Sequence, residues 1–171
     1  MIKNIIYFSL SFFILSSCNL SSSNSVSNVK NENLSQHKTY SSYNEYIIPL
    51  MKMYNMNDAI YAVYFYSEYC PACASLKDDL FNFIDKKNKS VENMYLVDIG
   101  TTKEEEFKKL KSTNGMNDEE ILSNTIGASK IEETYFRSSP CIYIISKIDN
   151  KNIVKNYYFN YSDVESFLKN I

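Results

Sequence analysis

"AVYFYSEYCPACASLK", residues 62–77, runs from an apolar stretch through two cysteines into alternating apolar and charged residues. The upstream run reaches back to Ala59, and "AIYAVYFY" is unbroken, aromatic-rich and of strand length. That pattern predicts a central strand covered on both faces. Downstream, Cys73, Leu76, Leu80, Phe83 and Ile84 recur at helical spacing, while Lys77, Asp78, Asp79, Lys86 and Lys87 face elsewhere. An amphipathic helix follows from that spacing. Cys70 and Cys73 therefore stand where a strand passes into a helix. Taken alone, the pair reads as a redox centre, as half of a zinc site or as a structural staple.

The flanking segments supply the other layers. Ser42 with Glu45 fits a capping box, and Tyr46, Ile47, Leu50, Met51 and Tyr54 follow at helical spacing, with Pro49 set to kink or split that helix. "NMYLVDI", 93–99, predicts a second strand. Thr102 with Glu105 offers a further capping box before Phe107 and Leu110. Residues 112–130 are longer than a plain connector, with a short helix expected around Asp118 to Ser123. "CIYIIS", 141–146, and "IVKNYYF", 153–159, flank the polar "KIDNKN" as a hairpin. Ser162 with Glu165 is expected to cap a last helix whose apolar face is Val164, Phe167, Leu168 and Ile171. A parallel pair with crossover helices, then a hairpin and a closing helix, makes an α/β three-layer sandwich around a mixed sheet.

The chain has 171 residues, 44% hydrophobic and 22% charged, which suits one domain plus an extension. A formal charge of -2 leaves no basic stripe for nucleic acid. Fifteen tyrosines and ten phenylalanines are assigned to strand and core packing rather than to a binding face. Lys3 followed by the apolar run Ile5 to Leu15 reads as an export signal, too short to span a bilayer. Leu15-Ser16-Ser17-Cys18 resembles the lipobox of bacterial lipoproteins, which implies cleavage before Cys18 and a diacylglyceryl thioether on it; the other reading is an ordinary cleaved signal with an incidental Cys18. The polar, Ser- and Asn-rich segment that follows cannot offset its ordering entropy by burial. As a coil of about 20 residues it spans ~25 Å, enough to hold a domain just off a membrane. The expected division is a signal over 1–17, lipidated Cys18 with a flexible tether over 18–40, and a folded domain over 41–171. His37, the single histidine, falls in the tether and is read as inert.

With these elements in place, residues 59–171 resemble thioredoxin, the helix at 42–54 fitting an N-terminal extension. "YFYSEYCPAC" is similar to that family's approach to its active site, and "SSPC", 138–141, to its cis-proline loop. The resemblance implies a thioredoxin-like fold, with Cys70 as nucleophile, Cys73 as resolving thiol, a cis Pro140, and Tyr69, Pro71, Ser139 and Pro140 contacting substrate. Physical chemistry is consistent with these roles. A helix N-terminus favours a thiolate and lowers a thiol pKa to somewhere around 3.5–7.5. Pro71 suits the first helical turn, where its missing N–H costs nothing. Three positions depart from the pattern: Tyr64 stands where a buried Asp is usual, Tyr69 where Trp is, and Pro71-Ala72 where Gly-Pro is. Potentials within such centres run from roughly -270 to -120 mV, a span of about 7 kcal/mol.

These readings predict a membrane-anchored, extracytoplasmic thiol–disulfide oxidoreductase with no cofactor and no metal. Its partners are expected to be exported protein thiols or disulfides and a membrane redox protein. A thioredoxin-like accessory or binding module of the bacteriocin-export type is the competing reading. Zinc at Cys70, Cys73 and Cys141 needs a fourth ligand, with only His37 or a carboxylate on offer. A purely structural disulfide closes so short a loop that it constrains little. Cys141 is either a small core residue or a third redox thiol.

Overall fold

The strand predicted ahead of the cysteines, Ile60–Tyr66 (β1), lies at the centre of a four-stranded sheet in a computed structural model that describes residues 38–86 and 90–170. The expected signal, Cys18, His37 and nearly all of the tether lie outside the described residues, as do Lys87 and Ile171. β1 pairs in parallel with Asn93–Asp98 (β2) and antiparallel with Cys141–Ile148 (β5), which pairs antiparallel with Lys151–Tyr158 (β6). The order is β2-β1-β5-β6. A short parallel pair, Lys111–Ser112 (β3) with Tyr135–Phe136 (β4), stands apart and has no counterpart in the sequence reading.

Alternation along β1 divides the core into two layers. Ala62, Tyr64 and Tyr66 point to the layer holding Cys73, Leu76 and Leu80 of Pro71–Asp85 (α1) and Val164 and Leu168 of Tyr161–Lys169 (α4). Tyr61, Val63 and Phe65 point to the opposite layer with Leu50, Met53, Ile121 and Ile131. Tyr61 to Tyr66 are all 2% exposed or less, so β1 is covered on both sides and the expected three-layer α/β sandwich is present.

Several local expectations give way to tertiary contacts. No α-helix forms over 42–54, and the Ser42–Glu45 capping box is not made. Two 3-10 helices stand there instead, Tyr40–Tyr46 and Leu50–Lys52, separated at Pro49. Tyr40, Tyr43 and Tyr46 recur every three residues, the period of a 3-10 rather than an α-helix. Between the two helices the Ile48 N–H donates to the Leu96 carbonyl at 2.8 Å and covers the free edge of β2. Thr102 does not cap; its hydroxyl donates to the Asp98 carbonyl at 2.8 Å, and only one helical turn, Glu104–Phe107 (α2), follows Lys103. The closing helix starts after Asn160, without a side-chain cap from Ser162, while Glu165 pairs with Lys169.

The long 112–130 segment is ordered and has a structural task. Its helix, Asp118–Thr125 (α3), carries a capping box between Asn117 and Glu120. Beyond it, Gly127 turns with φ +91°, its N–H donating to the Val154 carbonyl at 2.8 Å while the Val154 N–H donates to Ala128 at 2.9 Å. The β6 edge is closed by this segment as the β2 edge is closed by Ile48. The predicted "KIDNKN" loop narrows to a two-residue turn at Asp149 (φ 48°) and Asn150 (φ 61°), residue types that tolerate the left-handed region.

Candidate active site

Cys70 ends the loop after β1 and begins α1. Its backbone is extended (φ -89°, ψ 113°), it acts as N-cap, and its sulfur accepts from the Cys73 N–H at 3.2 Å. The Cys70 N–H donates back to the Ser67 carbonyl at 3.1 Å, which fixes the approach, and Pro71 takes the first helical position. One turn on, Cys73 points into the core and is fully buried, whereas Cys70 is half-buried. Both are free thiols.

Opposite them runs the loop before β5. The Ser139–Pro140 peptide is cis, as expected, and the Ser139 carbonyl lies 3.5 Å from Cys70 Sγ. Pro140 is buried and Ser139 half-buried. Tyr69 is 90% exposed, standing free beside Cys70.

The two thiols are driven apart electrostatically. At Cys70, partial burial disfavours the thiolate, but hydrogen bonds from the Cys73 thiol and N–H, from Ser139 and from the Ala72 N–H outweigh it and lower the pKa below the ordinary thiol value. At Cys73, burial and the proton it shares with Cys70 push the pKa up to about 12, against the pull of the Ser67 N–H. Cys70 thus gives up its proton more readily than Cys73, which is the asymmetry that sequential exchange requires.

Cys141 does not join them. It pairs in register with Phe65 and shares that residue's layer, whereas Cys73 lies in the other. Its thiol is fully buried, held up in pKa first by that burial, and hydrogen-bonded to the tyrosines at 157 and 143. The packing reading fits it. The zinc alternative loses its third ligand, and no group of three or more His, Cys, Asp or Glu side chains converges among the described residues.

Some residues that shape the site escaped the sequence reading. Arg137, two residues ahead of Ser139, forms an ion pair with Asp118 of α3, and its N–H donates to Tyr157 Oη at 3.2 Å. The 112–130 segment thus also anchors the loop that carries Ser139 and Pro140. Tyr40, assigned to the tether's end, is 7% exposed and stacks on Tyr66 at 3.9 Å between ring centres. The folded region therefore begins before residue 41: Tyr43 donates to Asp85 at 2.9 Å, and Lys38 pairs with the same carboxylate.

A cysteine pair where β1 meets α1, a cis-proline loop entering β5 and the β2-β1-β5-β6 order complete the architecture. The fold is thioredoxin-like. Among solved structures, a thioredoxin from Plasmodium falciparum is 16% identical over 70% of this chain and 82% of its own, with a TM-score of 0.39. Another is the malaria parasite thioredoxin-2, described as a component of protein secretion machinery, 16% identical over 68% of this chain and 87% of its own, TM-score 0.35. No protein-family model and no curated protein matches the chain.

Proposed function

We propose that this protein is a thiol–disulfide oxidoreductase acting on exported proteins from the outer side of a membrane, to which a lipid on Cys18 holds it. The observation that carries the chemistry is the split pair: an accessible Cys70 sulfur with lowered pKa at a helix N-terminus, backed by a buried, protonated Cys73. The Cys70 thiolate attacks one sulfur of a substrate disulfide. The other substrate sulfur leaves with the electron pair and takes up a proton, and a mixed disulfide stands on Cys70. Cys73 then gives up its proton and attacks Cys70 Sγ, which releases the second substrate thiol and leaves Cys70–Cys73 oxidised. The reverse sequence oxidises a dithiol substrate.

An extended substrate would be held by main-chain hydrogen bonds to Ser139, in the manner of an added strand, and by the exposed ring of Tyr69. Such contacts tolerate many sequences, as a general exchange partner needs. The extracytoplasmic placement rests on the apolar run Ile5 to Leu15 and on Leu15-Ser16-Ser17-Cys18, and a membrane redox protein is the expected source or sink of electrons.

Replacing Cys73 by Ser should trap substrates on Cys70 as mixed disulfides that release under reductant. The reading fails if no adduct forms and the unaltered protein neither reduces nor oxidises a test disulfide; a module that only docks peptides would show that result. Radiolabelled lipid on Cys18, lost in Cys18→Ser, checks the anchor.

A further inference from the structure

Two buried hydroxyls near the resolving thiol have no hydrogen-bond partner among protein atoms, those of Tyr40 and Tyr64. They come from different elements, the first 3-10 helix and β1, and both pack in the layer that holds Cys73. A buried hydroxyl left unpaired costs on the order of 1–3 kcal/mol, and such groups are ordinarily paired, often through a buried water with two to four polar partners. Beside them a cavity of about 200 Å³ is lined by Thr39, Tyr40, Ser67, Glu68, Ala74 and Lys77. Ser67 also supplies the N–H that reaches Cys73. Tyr40 thus both lines this opening and packs in the layer that holds Tyr64 and Cys73.

We propose that the hydroxyls of Tyr64 and Tyr40, bridged by water, form the path by which the Cys73 proton leaves for solvent during resolution. The proposal rests on the oxidoreductase reading of the cysteine pair. As Cys73 Sγ attacks Cys70 Sγ, its proton passes to the bridging water, the hydroxyl chain hands a proton on to water in the cavity, and the outgoing substrate sulfur takes one from solvent. The tyrosines do not serve as bases. Burial, first, and the neighbouring thiols raise the pKa of both, so each stays neutral and passes a proton by accepting on one side and donating on the other. Around Cys73 stand Cys70 at the N-cap of α1, Ser67 and Ser139 from the two facing loops, Tyr40 from the 3-10 helix and Tyr64 from β1, with the Cys141 thiol acting from the other layer; Tyr66, Asp98 and Glu68 act at the margin, on Tyr40 or through Tyr66. Among the described residues, no carboxylate is among the main groups acting on Cys73. Both tyrosines are positioning residues, acting on the thiol through water.

The test uses the full chain with Cys18→Ser, so that the pair alone reacts quickly, and a small aromatic disulfide whose thiol product is coloured. The first release of colour reports attack by Cys70, the second resolution by Cys73. In Tyr64→Phe, Tyr40→Phe and the double variant the first phase should stay within about twofold. The second should slow about tenfold per hydroxyl, its pH midpoint moving up by about one unit, as loss of a hydrogen bond to an ionising group implies. A second phase within about twofold of the unaltered protein in all three variants, from about pH 6 to 9, overturns the proposal. So does a rise in thermal stability, because removing a dry, orphaned hydroxyl stabilises. Should Tyr64→Phe fail to fold, Tyr40→Phe carries the same readout. If the second phase responds but no protein disulfide is turned over, the function fails and the relay stands; the opposite pattern separates them the other way.

Discussion

Tyr40→Ala tests whether the chain entering the domain is part of its core. Tyr40 is 7% exposed, stacks on Tyr66 with rings 3.9 Å and 12° apart, and meets Phe81 edge-on at 5.4 Å. Truncating a buried aromatic to Ala generally costs about 3–5 kcal/mol, of which each ring pair contributes roughly 0.5–1.5 beyond burial. Two features pull the expectation to the lower end. The exposed Lys38–Asp85 pair adds little to the docking of this segment. The 3-10 segment can also detach, which limits the loss to the free energy of its docking. A loss of about 3 kcal/mol in urea unfolding is expected, or ~10–15 °C in Tm for a domain of this size. If the segment detaches, the m-value falls as well, because less surface is buried in the native state. A loss below about 1 kcal/mol with an unchanged m-value would show that Tyr40 lies outside the core, and the boundary drawn here would be wrong.

Alkylation of Cys70 should rise with pH and level off below the ordinary thiol pKa of about 8.5; in Cys73→Ala, which removes one of its hydrogen-bond donors, the midpoint should move up. A midpoint unmoved by Cys73→Ala would refute the assigned cause. Stability of the reduced protein should fall as pH rises above about 9. Burial raises Cys73, Tyr64 and Tyr143, so above their unfolded values the unfolded chain has released protons that the native state still holds; Tm measured across pH should show the decline. Asn150→Ala places a Cβ-bearing residue without a local hydrogen-bonding side chain at φ 61° and should cost about 1 kcal/mol in the same unfolding assay, whereas Asn150→Gly should cost nothing.

The parts of the fold that were legible are those dictated by neighbours in sequence. β1 announced itself as a run with no polar residue between Ala59 and Tyr66, and α1 as a stripe from Cys73 to Ile84. Capping was less legible. Ser42, Thr102 and Ser162 each satisfied a local rule, and each was overruled by a contact or chain direction set elsewhere, as when Thr102 turned to the Asp98 carbonyl. Asn117, which does cap, stood in a segment with weak apolar periodicity. Arg137 carried no signal at all, since its partner Asp118 is a neighbour only after the 112–130 segment has folded onto β6.

The sequence by itself determined that a strand feeds two cysteines into a helix, that a proline precedes a hairpin, and hence which sulfur stands first at the helix N-terminus. Periodicity and steric preference act within a few residues, so they can be read without coordinates. Tertiary structure alone decided the rest: Cys73 is buried, Cys141 points into the other layer, and the tyrosines at 40 and 64 pack in the layer that holds Cys73. Burial and electrostatic neighbours belong to the assembled core rather than to any one segment, and they set what each of these chemically equivalent thiols can do.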